Sequence, residues 1–250
     1  MKKTAVLIII ALIAFSCKSA QSDLKSDLKS ANLKGNVWKI NRTVHDTENK
    51  CACSIKTECN ESKYVYDSKG NLLQSYTIDE NGTVNDSLKY VYNRRGFCTE
   101  IVRFSARKLA GKEVPVVEGG KISEVKSLDE NGKIVSVTKY AYSGSEITEE
   151  RTFNGNGELI SVVQREFLNG QVVSQTEKDS SSNVVSISRF KRNDGNDVTE
   201  CLFTVSKDNQ EYKFTYEYEY DNAGNWIKQT KFYDGQIVNI IIRNIEYFKV

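Results

Sequence analysis

An all-β fold of consecutive antiparallel β-hairpins is what this sequence predicts, and three observations predict it. Tyr212 to Asp221 alternates without a fault: Tyr212, Phe214, Tyr216, Tyr218 and Tyr220 fall on one side of an extended strand, with Lys213, Thr215, Glu217, Glu219 and Asp221 on the other. Side chains leave a strand on alternate faces, so aromatics at a period of two describe a half-buried strand. Turn chemistry also recurs at short intervals. Glycines stand at 70, 82, 96, 132, 144, 157 and 170, and most steps between turns are 11 to 14 residues, one strand plus a tight turn. Finally, no window sustains a helical apolar period. About fifteen strands follow from that spacing, arranged as an extended, twisted or curled sheet.

Composition agrees. The chain has 250 residues, 39% of them hydrophobic, with one proline, 15 glycines and 13 tyrosines, which suits sheets with one wet face joined by many turns. The 35 bases, less Lys2 and Lys3, match the 33 acids, so no global field points to nucleic acid.

In chain order, Lys2 and Lys3 precede an apolar run from Ala5 to Phe15, too short to span a bilayer and suited to a signal peptide over 1–16. It ends Ala14-Phe15-Ser16-Cys17, which resembles a bacterial lipoprotein signal. Cys17 would then carry palmitate-type acyl chains and become the mature N-terminus, a membrane anchor that does not cross the bilayer. The alternative is a plain secretory signal with an incidental cysteine. Residues 17–31, with the local repeat SDLKSDLKS, read as a flexible, solvated tether. The folded domain is expected over 32–250. It opens at Gly35 and Trp38, then meets an irregular segment at 45–62 holding Cys51, Cys53 and Cys59. A second irregular segment, 105–120, carries the only proline, Pro115, and reads as an elaborated loop or as a binding loop. Gln236 to Phe248 is apolar on both faces and reads as a covered closing strand.

Between these segments the chain repeats itself. Tyr64-Val-Tyr66-Asp67-Ser-Lys-Gly70-Asn71 matches Tyr218-Glu-Tyr220-Asp221-Asn-Ala-Gly224-Asn225, with weaker copies at Tyr90-Val-Tyr92-Asn93 and Tyr140-Ala-Tyr142-Ser143. Asp79-Glu-Asn-Gly82 recurs as Asp129-Glu-Asn-Gly132. On these motifs the chain resembles the small bacterial RHS/YD-repeat-like lipoproteins, from about Gly35 onward. The resemblance implies a hairpin-repeat fold in the bacterial cell envelope, at the outer membrane on its periplasmic or cell-surface side. It supplies no catalytic residue to transfer.

Catalytic parts are scarce. His45 is the only histidine, so any Ser-His-Asp or Cys-His arrangement must use it. Glu149 and Glu150 are adjacent and face opposite ways on a strand. Cys51, Cys53 and Cys59 with His45 lack zinc-site spacing, so no metal and no cofactor is expected. In an exported chain Cys51, Cys53, Cys59, Cys98 and Cys201 are candidate disulfide cysteines, with Cys59 to Cys51 or Cys53 the favoured bridge. The pairs Tyr64 with Tyr66 and Tyr90 with Tyr92 each share a face. They read first as an inward packing ladder and second as a stacking platform for a glycan. The expected function is an envelope-anchored binding or structural module without catalysis, its partner a glycan or an envelope protein. A hydrolase acting on envelope glycans is the competing reading.

Overall fold

A computed structural model describes residues 27–46, 59–79, 81–207 and 209–249. The signal region, Cys17, Cys51, Cys53 and most of the irregular segment at 45–62 lie outside the described residues.

One turn is used eight times. At Asp67, Asp79, Asn93, Asp129, Asn154, Asp179, Asn193 and Asp221 the side-chain Oδ1 accepts the backbone N–H four residues on, at 2.8–3.1 Å. The residue three on donates its N–H back to the first carbonyl and sits at positive φ. Glycine fills that place except at Ser182 and Asn196. The Asp or Asn of the repeated motif is therefore a turn cap, and the following Gly supplies the left-handed backbone.

The described residues form sixteen strands, and these turns, with shorter ones such as Asn169-Gly170, join them from β2 onward. They are β1 (Val37–Asp46), β2 (Cys59–Tyr66), β3 (Leu72–Ile78), β4 (Val84–Tyr92), β5 (Cys98–Ser105), β6 (Lys108–Glu118), β7 (Lys121–Leu128) and β8 (Ile134–Ser143). The second half holds β9 (Glu146–Asn154), β10 (Leu159–Leu168), β11 (Gln171–Asp179), β12 (Val184–Arg192), β13 (Val198–Val205), β14 (Gln210–Tyr220), β15 (Trp226–Tyr233) and β16 (Gln236–Tyr247). Each pairs antiparallel with its sequence neighbours, and β16 pairs with β1 from Val37 with Tyr247 to Asp46 with Asn239. The sheet is a closed barrel, which corrects the expectation of an extended or curled open sheet of about fifteen strands. Closure has a physical motive: it removes both edges and their unpaired N–H and C=O groups.

Two other expectations change. The segment 105–120 is not a loop. Ala106 and Arg107 make a two-residue turn, both at positive φ, and β6 follows at once. The β5 ladder ends with Ile101 opposite Glu113, two residues short of Pro115; β6 is bulged at Ala110 before the proline, and its partner β7 is bulged at Ser123 after it. Those irregularities accommodate a residue without an N–H. The closing strand β16 is not covered outside either, since Ile242 is 45% exposed.

Directly opposed residues share a face. Ile245, Ile40, Tyr64, Ser75, Leu88 and Arg103 form one inward row. Glu246, Lys39, Val65, Gln74, Lys89 and Val102 form the adjacent outward row.

Candidate functional site in the barrel lumen

A sixteen-stranded barrel is too wide for its side chains to fill. Tyr90, Thr138, Tyr140, Arg165 and Tyr216, inward by register, are only half-buried. The interior is therefore the candidate site.

One mouth is crossed by the chain itself. The short helix α1 (Asp27–Ser30) and the residues up to Lys34 lie over it as a strap. Asp27, 2% exposed, accepts the Leu72 N–H at 2.7 Å and the Tyr92 hydroxyl at 2.8 Å on Oδ2, while its Oδ1 has no partner. At the far side Asn32 donates to the Gly195 carbonyl at 2.7 Å, and Asn225 takes the Lys34 N–H at 2.7 Å. Leu28 and Leu33 close a small core with Val37, Ile40, Tyr66 and Leu72. Residues 27–31, expected as solvated tether, are packed instead, because Leu28 and, just beyond, Leu33 find apolar partners on the inner wall. A pocket of about 360 Å³ opens between the strap and the Asp67–Gly70 turn.

The rim below the strap is rich in buried polar groups. Tyr92, Tyr142 and Tyr218 donate their hydroxyls to the carbonyls of Leu72, Ile122 and Val198, each twenty residues earlier and next to a bulge at Leu73, Ser123 or Thr199. Burial pushes the Tyr218 hydroxyl up to about 12, and burial together with the Asp27 carboxylate raises that of Tyr92 further. Arg243 donates to the Trp226 carbonyl and lies 3.4 Å from that ring's centre; burial draws its guanidinium down to about 10.

Around the barrel, the inner wall from β9 to β15 changes character laterally. Its β9–β12 part is polar. Arg165 pairs with Glu150 at 2.5 Å and donates to Gln175 at 3.2 Å. Gln175 donates to Glu177 at 3.2 Å, and Ser186 donates to the other Glu177 oxygen at 3.0 Å. Its β13–β15 part is aromatic. Phe203, Tyr212, Phe214 and Tyr233 have ring centres 5.5–6.5 Å apart, and Lys231 sits 3.8 Å over Phe214. On β5 and β6 burial raises the inward Glu113 carboxyl, with Arg103 opposing it.

The outer wall is different. Of the nine ion pairs among the described residues, all but Arg165 with Glu150 join outward side chains, including Lys39 with Glu246, Lys126 with Glu124, and Glu200 with both Lys191 and Lys213. A lipid-facing barrel needs an apolar band, and each Lys or Arg at mid-bilayer costs about 2–4 kcal/mol. This wall suits water.

The barrel is similar to two solved porin-like structures. A porin-like protein from Bacteroides uniformis matches with a TM-score of 0.61 at 12% identity, over 85% of this chain and 98% of that one. A porin-like protein from Bacteroides vulgatus matches with a TM-score of 0.52 at 13% identity, over 86% and 99%. At these identities the likeness is one of fold. No family model matches the chain, and no curated protein does. The closed barrel and these neighbours overturn the RHS/YD-repeat resemblance. Tyr-Asp-x-x-Gly arises here because an inward tyrosine ends a strand immediately before an Asp-capped turn, so the motif reports turn chemistry shared between unrelated folds.

The structure places Tyr64, Tyr66, Tyr90 and Tyr92 on the inner wall, and only part of that ladder faces open lumen. Tyr66 is 5% exposed in the core under the strap, Tyr64 and Tyr90 pack on that core, and Tyr92 holds Asp27. Cys98 and Cys201 are free thiols on β5 and β13, on opposite sides of the sixteen-strand circuit. Burial pushes the Cys98 thiol up to about 11. Cys59 begins β2, and its side chain lies outside the described residues. His45 lies on the outward side of β1. Glu149 and Glu150 face opposite ways, to Arg151 outside and Arg165 inside. Sequence reasoning missed Asp27 and the Arg165–Gln175–Glu177 chain. On β11 both faces are polar, so alternation there gives no sign of which one is enclosed.

Proposed function

We propose that this chain is a non-catalytic binding barrel of the bacterial cell envelope, standing in water on a lipid anchor at Cys17 and receiving its ligand in the lumen. The observation that carries the reading is the contrast between the walls: ion pairs outside, half-buried aromatic and hydrogen-bonding side chains inside. A transmembrane pore is the competing reading. The charged outer wall and the strap over one mouth speak against it, while the likeness to two porin-like barrels supports an envelope setting.

Thr138 and Lys139 are neighbours on β8 with opposite directions, so they test the lumen. Thr138→Cys is expected to react with a small methanethiosulfonate and to resist a 5-kDa polyethylene-glycol maleimide (a size chosen to exceed a lumen of about porin width or less). Lys139→Cys is expected to react with both, the unsubstituted chain serving as the blank. Native Thr138→Cys inert to the small reagent, yet reactive once denatured, would mean a closed interior. For the anchor, Cys17→Ala should move the protein from the membrane to the soluble fraction; unchanged fractionation removes the lipid from the proposal.

A further inference from the structure

We propose that the inner wall of β10–β14, along a row from Arg165 near the strap-side end of β10 to Tyr212 near the far end of β14, is a subsite for a neutral oligosaccharide. The proposal rests on the lumen reading above and names the ligand class. Arg165, Gln175, Ser188, Phe203 and Tyr212 are directly opposed, strand to strand, and make one continuous inward row. Neighbouring strands lie about 4.8 Å apart, so the row runs roughly 20 Å, the length of a few sugar rings. Its first half is hydrogen-bonding and its second half aromatic.

Three features select the ligand. Aromatic faces want the apolar C–H face of a ring, and their sites fix orientation through a few polar groups. Here the polar groups are the Arg165–Gln175–Glu177–Ser186 chain, bonded at 3.0–3.2 Å and set beside the rings. Arg165 is paired with Glu150, Lys231 lies against the Phe214 ring, and Glu177 adds a carboxylate held by Gln175 and Ser186, so the wall gives an anionic ligand little to bind. A lipid tail would strand the polar half without partners, at a cost for each group. A polyol with an apolar face satisfies both halves. Accessibility divides the cluster: Tyr233, beside Tyr212 at 5.9 Å, is 39% exposed and Tyr212 is half-buried, so these two offer faces to a ligand, while Phe203, 7% exposed, packs behind them.

The test is a glycan array followed by titration of the best neutral oligosaccharide, reading tyrosine and tryptophan fluorescence. Tyr212→Ala and Glu177→Gln are expected to weaken binding at least tenfold each, and Lys213→Ala, on the outer face of the same strand, to leave it unchanged. Circular dichroism checks that each variant keeps its strands. Failure to bind any neutral glycan, binding confined to acidic glycans, or equal loss in Lys213→Ala overturns the subsite. If Thr138→Cys still labels in that case, the lumen survives and only its ligand class falls. If it does not, the lumen reading fails first.

Discussion

Asp221 shows how much one side chain can carry. Its Oδ1 accepts the Ala223 and Asn225 amides at 3.0 and 2.9 Å, and its Oδ2 accepts the Tyr247 hydroxyl. Burial opposes its ionisation, but the Tyr247 hydroxyl and the amides of Asn225, Ala223 and Gly224 outweigh it and hold the carboxyl below the usual range. A depressed carboxyl stabilises the fold fully above its unfolded value, near pH 4, and loses that contribution as pH falls through the folded value. Unfolding midpoints in urea should therefore be flat above about pH 5 and fall below about pH 4, with a shallower fall in Asp221→Asn. Asp221→Ala is expected to cost about 1–2 kcal/mol, a fall of about 2–6 °C in Tm. A variant that melts with the parent would show that the turn closes without its cap. The same chemistry was readable from sequence: Asp67, Asp79, Asp129 and Asp221, each with Gly three residues on, announced turns and therefore strands. What those residues could not announce is which faces look inward, because each turn fixes only its own hairpin.

Among the elements, β6 is the one that sequence reading lost. Pro115 and Gly119-Gly120 suggested a loop, whereas the structure absorbs them with bulges either side of the proline and a two-residue turn after it. Gly111 is the residue that permits the first bulge. It sits at φ +138°, and a Cβ there would collide with the Leu128 carbonyl on β7. Gly132 has positive φ but open space around it. Gly111→Ala should therefore cost more than about 2 kcal/mol and Gly132→Ala about 1 kcal/mol, measured by urea unfolding. Equal costs would remove the steric account of β6. The binding wall has a similar history. The aromatic half lies on β13 and β14, and the alternation of β14 marks a half-buried face without saying that it lines a lumen. The polar half lies on β10 and β11, where Gln175 and Glu177 alternate with Thr176 and Lys178 and nothing local distinguishes inside from outside.

For the whole molecule, closure is the property that no local stretch encodes. Val37 to Asp46 and Gln236 to Tyr247 are separated by most of the chain, yet they pair along nearly their full length, and the Phe248 N–H reaches the Asn36 carbonyl at 2.9 Å. Adjacent ends mean that cutting and rejoining the chain elsewhere should be tolerated. A permutant opened at Asn156-Gly157, with Phe248 joined to Asn36 through a short linker, is expected to keep the parent's circular dichroism and its elution volume on gel filtration. Deletion of 236–250 leaves β1 and β15 as bare edges and should aggregate; a soluble monomer from that deletion would show that the remaining sheet protects itself. The β1–β16 seam also sets an order in time. Fifteen hairpin pairings can zip between sequence neighbours as they emerge, but β1 must wait for β16, which is made after the other fifteen strands. Until β16 is made, β1 waits with one side unpaired, so the barrel can close only once its last strand is in place.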